Sequence, residues 1–159
     1  MSIIEQAPPI TAVEGFARVK ELIDLTNVRR KLADPEDGKG YGLDQLDRME
    51  AEYRRYLALQ LAFPDAAIVP CGIVDEMWHQ HILDTMAYAA DCDALFGEFL
   101  HHYPYFGMRD EAEAQELQDA YADTLDRYRA AFGEPPEGTW ISIDAARCQR
   151  RACKPQKCR

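Results

Sequence analysis

Apolar residues recur three or four apart over long stretches of this chain, the spacing of one helix face turned toward a core. Val13, Phe16, Val19, Leu22 and Ile23 predict a first helix from about Ala12 to Leu32. Thr11 and Glu14 frame its start as a capping box, and Asp34-Pro35 ends it, because the residue before a proline avoids the α region. Leu43, Leu46, Met49, Tyr53, Tyr56, Leu57 and Leu61 predict a second helix from about Leu43 to Ala62, closed by Phe63-Pro64. A third is expected from about Val74 to Leu100, with Asp75 and Glu76 in the first turn, where carboxylates favour a helix N-terminus. The fourth runs from about Asp110 to Phe132, with Leu117, Tyr121, Thr124, Leu125, Tyr128 and Phe132 on one stripe and Gly133 as its stop.

Strand-type alternation is nearly absent, so the fold class is all-α, a bundle of about four amphipathic helices. Residues 101–109, HHYPYFGMR, read as an aromatic turn packed after the third helix. Residues 138–144, GTWISID, read either as one short strand or as a cover on the bundle. The expected organisation is one helical domain over 1–145 and a flexible basic tail over 146–159.

Charge sharpens that division. The formal charge is −10, and the last 13 residues carry six Lys/Arg and no acid, so the tail is +6 and the preceding 146 residues sum to −16. A body this acidic argues against general nucleic-acid binding, which needs a positive field facing the phosphates. The basic tail is suited to folding back on the body or docking on an acidic partner. No run of apolar residues approaches the ~20 of a membrane span. The N-terminus shows no basic segment followed by an apolar one, so a cytoplasmic protein is expected.

Candidate chemistry concentrates in the third predicted helix. All four histidines, one of two tryptophans and a cysteine lie between Val74 and Pro104. Helical phase splits them. Asp75 and His79 are an i, i+4 pair, at the spacing for a carboxylate to orient an imidazole. His81, Thr85, Tyr88 and Cys92 form a separate stripe, and Trp78, Ile82 and Met86 an apolar edge.

His79 and His81 are the leading metal-ligand candidates, with Asp75, Cys92 and His102 secondary. Histidine suits zinc, iron and copper. His102 is placed far away by the straight-helix expectation: about 25 residues at 1.5 Å each give about 40 Å. It joins the others only if the helix breaks, for instance near Gly97 or Asp91-Cys92. Cys148, Cys153 and Cys158 in the tail are regularly spaced, which makes them candidates for a soft metal, although structural zinc sites usually show paired C-x2-C knuckles. Cys71, in a Pro-Cys-Gly turn, reads as a buried small residue.

The pattern V-D-x-x-W-H-x-H-x-L, then Y-x-x-D-C-x-x-L-F-G, resembles the signature of the glycine-rich domain-containing protein-like family. Here it comprises Val74, Asp75, Trp78, His79, His81 and Leu83, then Tyr88, Asp91, Cys92, Leu95, Phe96 and Gly97. The resemblance implies a helical domain and no settled activity.

Two functions are consistent with these features. In one, the protein binds a transition metal, and an open coordination position activates water or dioxygen with Tyr88 as proton donor. In the other, it is a non-catalytic interaction or regulatory module, in which the same residues form a structural polar network and the tail is a docking or redox element. Its partner would be a small molecule or a protein.

Overall fold

A computed structural model describes residues 10–141. They form six helices and, among the described residues, no strand: α1 (Ala12–Leu22), α2 (Thr26–Ala33), α3 (Leu43–Ala62), α4 (Gly72–Leu83), α5 (Thr85–Phe96) and α6 (Glu111–Phe132). The all-α expectation holds. The count of about four does not, because the first and third predicted helices are each broken in two.

The first break has a packing cause. Ile23 and Leu25 are both buried, at 3% and 1% exposure. Two residues two apart on a helix point nearly opposite ways, so a continuous helix would turn one of them outward. Leaving the helix at Ile23 lets both face the core. Asp24 makes the turn, accepting from the Thr26 backbone N–H at 2.9 Å and its hydroxyl at 2.6 Å. Arg54 of α3 donates to the Val19 and Ile23 carbonyls at 3.1 and 3.0 Å, tying the end of α1 to α3.

The second break falls at Asp84, which ends α4 and begins α5. Its backbone leaves the helical region (φ −82°, ψ 71°), and its carboxylate accepts from the Ala87 N–H at 3.5 Å. Thr11–Glu14 forms the expected capping box on α1, and Gly133, at φ 82°, ends α6.

The long helix α3 is the hub, packing most extensively on α1 and α4 and also touching α2 and α6. Its Leu46, Tyr53, Tyr56, Leu57 and Leu59 are almost completely buried. They meet Val19, Val28, Val74, Met77 and Tyr88 from the surrounding helices in one core. A cluster of this size supplies the area-proportional stabilisation of burial, at roughly 25 cal/mol per Å².

The Gly138–Ile141 stretch packs on the helices. Trp140, 8% exposed, packs on Tyr121 and Tyr128, and the Tyr121 hydroxyl donates to the Ile141 carbonyl at 2.6 Å. The expected tail, with Cys148, Cys153 and Cys158, lies outside the described residues. Among the described residues no helix is long and apolar enough to cross a membrane.

Candidate metal centre

The break at Asp84 and the end of α5 together bring His102 back to α4. Gly97 takes the left-handed conformation (φ 70°) that glycine adopts without steric cost, reversing the chain after Phe96. The returning segment lays His102 against the face of α4 that carries Asp75 and, one turn later, His79.

Three ligand atoms converge there, all within 4.8 Å of one another. His102 Nε2 lies 2.9 Å from Asp75 Oδ1 and 2.9 Å from His79 Nε2. His79 Nε2 is 3.6 Å from the same Asp75 oxygen. The His102 ring lies beside the Trp78 indole, at 4.3 Å between centroids, and the His79 ring, at 4.6 Å, each in a tilted contact. Asp75 and His102 are largely buried, whereas the His79 side chain is 53% exposed, so the cluster opens to solvent on the His79 side.

One hydrogen has to be shared among these contacts. With Asp75 ionised, its contact needs a proton on His102 Nε2. The contact with His79 then has to share that proton, because a second one on His79 Nε2 would face it head-on. Protonating Asp75 instead points two donors at one His102 lone pair. In each arrangement one N–H or one lone pair serves two contacts.

A cation would meet all three atoms at once. Zinc–nitrogen and zinc–oxygen bonds of about 2.0–2.2 Å in a tetrahedral ion place ligand atoms about 3.3–3.6 Å apart. The Asp75–His79 separation of 3.6 Å matches that spacing, and the two of 2.9 Å to His102 are shorter than it. Two imidazoles and a carboxylate leave at least one coordination position for water or another ligand, the donor pattern of catalytic rather than closed structural sites.

His81 does not join this cluster. It is 2% exposed, with Nδ1 at 2.8 Å from the Tyr53 hydroxyl of α3 and Nε2 at 2.8 Å from Asp91 Oδ2 of α5. Burial pushes its pKa down, against the opposing pull of Asp91. The neutral ring with hydrogen on Nε2 fits both partners, donating to Asp91 and accepting from Tyr53. Both nitrogens are therefore committed to tying α4 to α3 and α5.

Cys92 is likewise buried away from the three ligand atoms, its Sγ accepting from the Leu100 N–H at 3.5 Å. The Tyr88 hydroxyl donates to the Leu100 carbonyl at 2.5 Å and accepts from Trp78 Nε1 at 2.8 Å. Burial raises the Tyr88 pKa, and its proton is engaged at a backbone carbonyl rather than offered to a reacting group. His101 is exposed, beside the Phe99 ring at 4.9 Å. Cys71 is fully buried, and burial pushes its thiol up to about 12, which leaves it without nucleophilic character at neutral pH.

Two clefts lie elsewhere. One of about 490 Å3 sits where α1, α2 and α3 meet, lined by Asp24, Arg29, Glu50 and Arg54 among others. One of about 220 Å3 lies between α2 and the end of α4, beside Lys31 and Asp84. Neither is lined by a triad residue.

The profile of the UCP032817-like family matches residues 26–126, which contain α2 to α5, the returning segment and most of α6. The chain belongs to this family. Asp75, His79 and His102, together with the residues that brace them, fall inside the matched region. No curated protein and no solved structure matches the chain significantly.

The long-range part of the site was the part helix periodicity missed. Asp75 and His79 share a face by spacing alone, but nothing local signals that residue 102 meets residue 75. The available signal was Asp84-Thr85, an N-cap type of pair inside an apparently continuous helix.

Proposed function

We propose that this protein is a metal-binding helical protein whose centre is Asp75, His79 and His102, holding a divalent transition metal. Convergence of two imidazole nitrogens and one carboxylate oxygen within 4.8 Å, open to solvent on the His79 side, carries this reading. The donor set suits zinc or iron(II), and copper(II) among other first-row ions. The ion would act as a Lewis acid on a small ligand or water reaching it from the exposed His79 side. The likeness of residues 74–97 to the glycine-rich domain-containing protein-like signature belongs to the same proposal. Its Asp75 and His79 are ligands in this reading, while Trp78, His81, Tyr88, Asp91 and Cys92 support them.

A second reading, a non-catalytic interaction or regulatory module, draws on the buried Tyr53–His81–Asp91 network, which joins three helices without any ion. Elemental analysis of untagged protein separates the two. The metal reading expects about one ion per chain, lost in His79→Ala and in His102→Ala, with those variants still folded. Cobalt(II) added to stripped protein should give visible absorption bands of a low-symmetry site with nitrogen donors. Absence of stoichiometric metal, with no change in the thermal midpoint on adding zinc, cobalt or iron(II), would leave the module reading in place.

A further inference from the structure

His102 is the one member of the triad that α4 does not carry, so its position depends on the backbone of the segment before it. That backbone is held at Leu100, two residues upstream. Cys92 Sγ accepts from the Leu100 N–H at 3.5 Å, and the Tyr88 hydroxyl donates to the Leu100 carbonyl at 2.5 Å. Tyr88 and Cys92 are four residues apart on α5 and so share one face, presenting an acceptor and a donor to the two ends of one residue. The clamp is tied to the ligands at its other end. The Tyr88 hydroxyl accepts from Trp78 Nε1 at 2.8 Å, and the Trp78 indole packs in a tilted contact on the His102 ring at 4.3 Å. One continuous set of contacts thus runs from α5 through Leu100 and Trp78 to the imidazole.

We infer that Tyr88 and Cys92 are positioning residues that set the affinity of the metal centre by holding Leu100, and through it His102, against α4. This inference rests on the metal reading of Asp75, His79 and His102. Neither residue is a ligand. Their effect is geometric: with Leu100 released, His102 has to be recruited to the ion from a range of positions, and binding weakens by the cost of ordering it. Outer partners of metal ligands typically contribute 10–100-fold in affinity.

Zinc affinity is measured by competition with a chromogenic chelator on folded protein, well below every thermal midpoint. Tyr88→Phe keeps the ring and removes the hydroxyl, and Cys92→Ala removes the thiol. Each is expected to weaken zinc binding 10–100-fold, toward what Asp75 and His79 hold without His102. Cys92→Ser, which restores an acceptor on a shorter side chain, should recover part of the loss. Tyr121→Phe is the structural control, because it removes another largely buried hydroxyl that donates to a backbone carbonyl, at Ile141 and 2.6 Å. It should lower the thermal midpoint and leave zinc affinity unchanged.

Equal zinc affinity in wild type, Tyr88→Phe and Cys92→Ala would overturn the clamp while leaving the centre standing. An equal loss in Tyr121→Phe would overturn it too, by showing that affinity merely follows stability. Wild-type protein that binds no zinc or cobalt would overturn the centre and the clamp together. If Tyr88→Phe does not fold, the Cys92 pair decides.

Discussion

Glu52 offers the sharpest test of how these helices are held together. It sits in the middle of α3 with 0% exposure, a position where a carboxylate survives only if fully partnered. Its Oε2 accepts from the Tyr128 hydroxyl of α6 and from Trp140 Nε1, each at 2.8 Å. Its Oε1 takes the guanidinium of Arg55, which lies over the rings of Phe16 and Phe132. One side chain therefore joins α3 to α6 and to the stretch that follows it. Glu52→Ala strands the Tyr128 and Trp140 donors, each at about 1–3 kcal/mol. Arg55 is 29% exposed and can recover some hydration, so its own penalty is smaller. Removing one partner of a buried ionic network in this way costs about 3–5 kcal/mol in total. That is a large fraction of the 5–15 kcal/mol typical of a whole domain. Glu52→Gln should cost less, about 1–2 kcal/mol, because its carbonyl can still accept from both donors while its amide meets Arg55 donor to donor. Urea unfolding followed by far-UV circular dichroism and tryptophan fluorescence measures both. A loss below about 1 kcal/mol for Glu52→Ala, or a larger loss for Glu52→Gln, would refute this account.

Two further outcomes can be checked directly. A Cβ at Gly38 would lie 1.8 Å from the Lys31 carbonyl oxygen, so Gly38→Ala must displace the turn after α2; a loss of about 1–3 kcal/mol is expected in the same urea assay, and a neutral substitution would contradict the turn. Burial raises the pKa of Tyr53, Tyr56, Tyr88, Tyr121 and Tyr128 above the usual tyrosine value. A raised folded-state pKa means that stability is whole below about pH 10 and falls as pH rises past it, because only the unfolded chain ionises readily there. Phenolate absorbance near 295 nm from these five should therefore appear together with the loss of helical dichroism, and its appearance in the folded protein near pH 10 would count against their burial.

What was legible in the sequence was local. Helix faces follow from 3.6-residue periodicity, and the Thr11–Glu14 box, the Asp34-Pro35 stop and the Gly133 end are each decided by residues within one turn. The separation of His79 from His81 was also local, since residues two apart on a helix diverge whatever surrounds them. The breaks were not. Residues 12–32 and 74–100 read as unbroken helices because no proline interrupts them, and the gain that breaks them is tertiary. Ile23 and Leu25 both bury only if α1 stops. His81 meets Asp91 at 2.8 Å only because α5 folds back at Asp84; on one straight helix ten residues would set them about 15 Å apart along the axis. The same reversal puts His102 at 2.9 Å from Asp75 rather than tens of ångströms away. Periodicity reports which face of a helix is buried, whereas the meeting of residues 75, 79 and 102 depends on where α5 and the segment after it pack. The sequence alone determined that Asp75 and His79 share a helix face. Tertiary packing decided that His102 completes the cluster and that His81 is held elsewhere.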